Sequence, residues 1–224
     1  MSISTWNDFV TALRGEVDWR DGSYMERQAS VVEEILRAAA ARPEIFAERT
    51  DEILADGELF RSLAPHSAYP RILMDKFVLH SEPGNGFRIR LHRFKTRLQN
   101  GGAQERVHYH KWHCSTVMLR GGYRERQFEV LRTDEEASES LLREDLEHSL
   151  AEGESNSLPA GRPHQVINDS DTDPCLTLFV RGPSVLRAAR IFDMERGTFY
   201  DTFDPDGQLK VGLAAMGRLD PDFH

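Results

Sequence analysis

The sequence predicts a mainly β protein, a sandwich or jelly roll, carrying an α-helical N-terminal extension. Two textures divide the chain. Apolar residues recur at helical spacing over the first third, whereas from Tyr69 onward short β-like runs alternate with turn residues roughly every eight to twelve positions. A third observation is Pro83-Gly84-Asn85-Gly86, a strong hairpin signal between two such runs. The 224 residues suffice for one domain plus an extension and bury a sizeable core without disulfides. The expected division is a helical extension over 1–65, a β domain over 66–200 and a turn-rich arm over 201–224.

Ser23, with Glu26 three residues on, reads as a capping box ahead of a helix over 25–42. Ala29, Val32, Leu36 and Ala39 give that helix one apolar face. Pro43 stands where a second helix can start, with Ile45 and Phe46 behind it. A further amphipathic stretch, Ile53, Leu54, Leu59, Phe60 and Leu63, closes before Pro65. Such helices pack as a cap on the following domain or at a dimer contact. Strands are expected over 72–80, 87–94, 107–110, 114–120, 123–131, 155–158, 165–167 and 175–181, with a last pair around Arg196-Gly197.

Composition narrows the function classes. A net charge of −9 argues against a nucleic-acid or anionic-membrane surface. Nine acidic residues against the single fixed cation Arg143 gather in 134–154, which reads as a solvated loop or face carrying no site. No apolar run reaches the roughly eighteen residues of a membrane span, and the N-terminus lacks the pattern of a signal peptide. Cys114 and Cys175 form neither a Cys-x-x-Cys motif nor a disulfide framework, so a cytoplasmic protein with reduced thiols is expected. There is no Gly-x-Ser-x-Gly motif and no phosphate loop, which leaves nucleophilic hydrolysis and nucleotide chemistry little support.

The histidines carry the functional signal. His108 and His110 stand two apart in an expected strand, so both imidazoles face one side of a sheet. His164 directly follows Pro159-Ala160-Gly161-Arg162-Pro163, a tight turn able to aim it back at that pair. Neutral imidazoles suit zinc, iron, copper or nickel. Taken alone, His-x-His also fits two surface histidines on an exposed strand.

Spacing adds weight. Gly102, five residues, His108-Tyr109-His110, three residues, Cys114, six residues and Gly121 resemble the first motif of the cupin superfamily, with Cys114 where glutamate is usual. Gly153, five residues, Pro159-Ala160-Gly161, two residues, His164, three residues and Asn168 resemble the second. The resemblance implies a cupin jelly-roll barrel over 66–200 enclosing one metal ion held by His108, His110 and His164.

Within the cupins the chain is similar to the thiol dioxygenases, above all cysteine dioxygenase, which carries His-x-His, a short gap, then His-Cys. Here the run is His108-Tyr109-His110-Lys111-Trp112-His113-Cys114, with a gap one residue shorter. Tyr69-Pro70-Arg71-Ile72-Leu73 resembles the family segment whose arginine binds the substrate carboxylate, so Arg71 and Tyr69 are implied substrate contacts. The family's alternating Ser-x-His-x-Tyr becomes Thr177, Phe179 and Arg181, which takes away the tyrosine partner of the motif-one cysteine. Strict conversion of cysteine to its sulfinate therefore does not carry over. Cys114 is implied to line the pocket and tune its shape. Arg90 and His92 share one face of their strand and are alternative pocket residues, and His113 is a candidate to support the ligands.

The resulting expectation is a mononuclear non-haem Fe(II) oxygenase that oxidises a small amino acid or related carboxylate with dioxygen, anchored by Arg71 or Arg181. Zinc, manganese or nickel with isomerase or lyase chemistry is the enzymatic alternative, and a non-enzymatic small-molecule-binding cupin the third. Neither nucleic acid nor membrane is expected as a partner. Family habit makes a homodimer the expected assembly.

Overall fold

A computed structural model describes residues 3–202 and Leu213. Most of the expected arm over 201–224, and His224 within it, therefore lies outside the described residues. Four helices come first: α1 Trp6–Gly15, α2 Ala29–Ala40, α3 Glu44–Ala55 and α4 Gly57–Leu63. The strands β1 Met74–Ser81, β2 Arg88–Phe94, β3 His108–Tyr109, β4 Cys114–Arg120, β5 Gly122–Asp134, β6 Glu139–Ala151, β7 Ser155–Leu158, β8 His164–Ile167, β9 Cys175–Arg181, β10 Ala189–Asp193 and β11 Thr198–Thr202 follow. No helix of the described residues is long and apolar enough to cross a membrane.

The strands form the expected jelly-roll barrel from two antiparallel sheets. One runs β1-β2-β9-β4-β7 and the other closes through β10-β11-β6-β5-β8-β3. The β1–β2 hairpin turns at Pro83-Gly84-Asn85-Gly86, where Gly84 and Asn85 both take positive φ. Alternation along the five-stranded sheet sorts its faces. Ile89, Val117, Leu178 and Val180 point outward and are fully buried, because Phe9, Leu13, Val32, Ile35, Leu36 and Ile45 of the helices cover them. The extension therefore packs on the back of this sheet.

The inward residues fall in rows set by register. Lys76 stands across from His92, and His92 from Thr177. Arg90 stands across from Phe179, and Phe179 from Thr116. Arg88 faces Arg181, and Arg181 faces Cys114. Charged and polar residues thus share the barrel interior with apolar ones such as Phe179, while Ile89, Val117, Leu178 and Val180 meet the helical layer.

One local expectation fails for a physical reason, and one strand goes unforeseen within a segment that is a solvated face as expected. The Ser23–Glu26 capping box does not form: Tyr24–Gln28 winds as one π-helical turn before α2, and Ser23 Oγ accepts from Arg27 Nη2 at 3.3 Å. That turn holds Tyr24, whose ring is 1% exposed, with its hydroxyl 2.9 Å from Ser115 Oγ. The reciprocal cap that does form is Thr5–Asp8 at α1, with Asp8 N donating to Thr5 Oγ1 at 3.1 Å and Thr5 N to Asp8 Oδ2 at 2.9 Å. The acidic segment over 134–154 holds β6, paired with β5 along its length. From Arg143 to Glu147 every residue is exposed, so no apolar alternation marks the strand. Cross-strand ion pairs such as Arg124–Glu147, at 2.9 Å, take up its charge.

Candidate metal centre

Backbone pairing builds the site. His108 on β3 lies directly across from His164, the first residue of β8. His110 follows one position beyond β3, and its carbonyl accepts from Gly161 N at 2.9 Å, which ties the Pro-Ala-Gly turn to the histidine pair. Gly161 takes φ +83°, a conformation that side-chain-bearing residues rarely adopt.

One nitrogen from each of His108, His110 and His164 lies within 4.8 Å of the other two. His110 Nε2 and His164 Nε2 are 3.1 Å apart. Two imidazoles sharing one ion at a metal–nitrogen distance of about 2.1 Å stand roughly 3.0 to 3.4 Å apart, so the spacing fits a common ion. His108 Nδ1 is 3.0 Å from the Arg106 carbonyl, which directs the other ring nitrogen inward. His110 stacks on Trp112 at 4.0 Å between ring centroids.

Behind His164 stands a carboxylate. Glu125 is 2% exposed, and its Oε1 lies 3.8 Å from His164 Nδ1. The same oxygen accepts from Gln127 Nε2 and Asn156 Nδ2, each at 3.0 Å. Burial lowers the pKa of His108 and, more strongly, of His110, leaving both in the neutral form that binds metals. Burial presses His164 the same way, but Glu125 outweighs it and leaves this imidazole above its ordinary value. Burial raises the Glu125 carboxyl, yet His164, His148 and Gln127 hold it below the usual glutamate range.

The histidines open onto a buried cavity of about 70 Å³. Thr177 and Phe179 line it, as do Arg90 and His92. Arg181 is 4% exposed but lies one row away, where its Nη1 donates to the Gly182 carbonyl at 2.8 Å. Cys114 is likewise buried, packed with Trp112, Leu158 and Phe179 outside the cavity lining. Burial holds its thiol far above the usual cysteine range, so it stays protonated. Tyr69 and Arg71 lie outside the barrel. Arg71 N donates to the buried Asp75 Oδ1 at 2.9 Å, which leaves its side chain on an open surface groove, and Tyr69 is 64% exposed. His113 stacks on Tyr24 at 4.5 Å, and its Nδ1 accepts from Ala160 N at 3.1 Å, so it braces the Pro-Ala-Gly turn.

Sequence reasoning did not single out Lys76, Glu105, Trp112, Thr116, Glu125 or Asn156, all of which line the cavity. The available signal was strand alternation: Lys76 and Glu125 sit at inward positions of β1 and β5. Which inward positions reach the histidines depends on register between strands, and spacing within one strand does not carry that.

No family model matches this chain, and no curated protein matches it. Similar solved structures include an RmlC-like cupin protein from Ralstonia eutropha JMP134, at 10% identity and a TM-score of 0.40, covering 67% of this chain and 79% of that one. The DMSP lyase DddQ from Ruegeria pomeroyi DSS-3 is similar at 16% identity and a TM-score of 0.35, covering 52% and 50%. Hydroxypropylphosphonic acid epoxidase from S. wedmorenis is similar at 14% identity and a TM-score of 0.38, covering 51% and 53%. The chain spans about half the length of the lyase and the epoxidase it matches.

Proposed function

We propose that this chain is a mononuclear non-haem iron enzyme that oxidises a small amino acid or related carboxylate with dioxygen, as the thiol dioxygenases it resembles do. The observation that carries this reading is the convergence of three imidazoles, His164 buried and His108 and His110 half-buried, on one small cavity. His108, His110 and His164 would hold Fe(II); an all-nitrogen set without a carboxylate suits it and leaves positions open. When bound, the iron supplies a site at which organic substrate and dioxygen meet.

The chain's own residues do the rest. The Arg106 carbonyl orients His108 through its second nitrogen, and the Glu125 carboxylate, 3.8 Å from His164 Nδ1, raises the basicity of that imidazole. Trp112 and Phe179 wall the cavity and exclude water. Thr177 Oγ1 and His92 Nε2 are buried without a protein hydrogen-bond partner among the described residues, so both are free for polar groups of a substrate. Arg71 and Arg181 stand outside this wall, and neither is retained as the anchor.

One observation favours the zinc, manganese or nickel isomerase or lyase reading: the Glu105 carboxylate lines the same cavity and offers a base. A dioxygen-uptake screen of iron-loaded protein against amino acids and thiols separates the two. The oxygenase reading predicts uptake matched by substrate loss and abolished by His164→Ala. Turnover of a substrate under nitrogen, with no uptake in air, would replace it with the rival.

A further inference from the structure

Arg90 is 8% exposed in the barrel interior. Its guanidinium is held between aromatic faces, 5.8 Å from the Trp112 centroid and 5.9 Å from that of Phe179. Among the described residues no carboxylate pairs with it, and its Nε has no hydrogen-bond partner. Lys76 of β1 lines the same cavity directly opposite His92 of β2, also without an ion-pair partner among the described residues. Arg88 and Arg181 stand in the next row and add positive charge.

The acids of the cavity make no ion pair with Arg90 among the described residues, and Glu105 offsets only the charge of Lys76. Glu125 is turned to His164, Gln127 and Asn156, and Glu105 Oε2 accepts from Val166 N at 2.9 Å. A buried guanidinium without a counter-ion destabilises a protein, and its usual justification is a partner from outside. Arg90 and His110 both lie against Trp112 and line the same cavity, so a small molecule held at the histidines shares that cavity with the guanidinium.

We propose that Arg90 and Lys76 form an oxyanion subsite that takes the carboxylate of the substrate, with Thr177 Oγ1 and His92 Nε2 supplying further hydrogen bonds. The subsite makes the enzyme selective for small organic acids and aims their other end at the three histidines. That orientation rests on the metal reading above; the anion binding does not. Bidentate guanidinium–carboxylate pairing is the chemistry that fits, with the ammonium of Lys76 as a second point charge.

Thermal melting of the purified protein tests this with propionate, propionamide and inorganic phosphate at matched ionic strength, on wild type, Arg90→Met, Arg90→Lys, Lys76→Met and the surface control Arg132→Met. Metal content is measured on each. Propionate is expected to raise the wild-type midpoint, and half-saturation should rise at least tenfold in Arg90→Met and Lys76→Met. Arg90→Lys should keep part of the response and Arg132→Met all of it. Propionamide should be inert. Without acid, Arg90→Met should melt a few degrees above wild type, because the uncompensated charge is gone. The proposal is overturned by an undiminished propionate response in Arg90→Met, by propionamide matching propionate, by phosphate alone saturating, or by an Arg90→Met protein that melts below wild type. Metal kept in variants that lose the propionate response supports both readings. A metal-free wild type that still loses that response in Arg90→Met would sink the iron reading and leave the subsite standing.

Discussion

Position 114 holds a thiol where the first cupin motif usually has glutamate, and the carboxylate nearest the histidines comes instead from Glu125 on the next strand. At 3.8 Å it acts on the imidazole as a nearby negative charge, which raises the basicity of the ring. Glu125→Gln keeps the shape and loses the charge, so metal affinity is expected to fall about 10- to 100-fold with little change in melting, read by competition with a chelator. Lys76 gives a prediction in pH. Burial lowers its pKa to about 8, with Arg90 and Arg71 pushing the same way and Glu105 opposing. The unfolded chain, at about 10.5, binds more protons between those values, so this residue makes folding stability rise with pH across that window. Carboxylate binding runs the other way, weakening as pH rises through 8, and titration calorimetry at several pH values reads it. The three histidines were legible because two lie on one strand face and the third follows a marked turn. Lys76 and Glu125 were not, because their approach depends on pairing between strands distant in sequence.

At the scale of elements, α2 is tied to the barrel by one acid. Glu33 accepts from Ser155 Oγ at 2.8 Å and Ser157 Oγ at 2.7 Å, and Ser157 continues through Ser115 to Tyr24. Glu33→Ala is expected to cost about 1–3 kcal/mol in urea denaturation, since it removes two hydrogen bonds to a charged acceptor at the seam, while Ser155 keeps Arg37 and Ser157 keeps Ser115. Thr5→Ala removes only an exposed cap and should cost about 1 kcal/mol. β2, β4 and β9 were readable because each sets apolar residues, Ile89, Val117 and Leu178 with Val180, against the helices. β6 was not, because both faces of its middle meet solvent and its acids mimic a loop. The π turn at Tyr24 escaped for a different reason: a distant serine on β4 sets it, and the local capping signal at Ser23 loses to that contact.

Taken whole, the molecule is a barrel whose inside mixes polar and apolar residues and whose apolar support lies on the back of one sheet. The helical extension is therefore part of the core. Removing residues up to His66 would open Ile89, Val117, Leu178 and Val180 to water, and the remaining barrel is expected to aggregate on expression rather than remain a soluble metal binder. Among the described residues, the apolar layer formed by α1–α4 packs on this sheet and not on the one that carries His108 and His164. If His108, His110 and His164 hold one catalytic iron, as proposed, elemental mass spectrometry of protein from unsupplemented cells, with His164→Ala purified alongside, tests it most directly. Iron near one per chain is expected in the wild type and its loss in the variant. Wild-type protein without bound metal, or iron unchanged in His164→Ala, would contradict it.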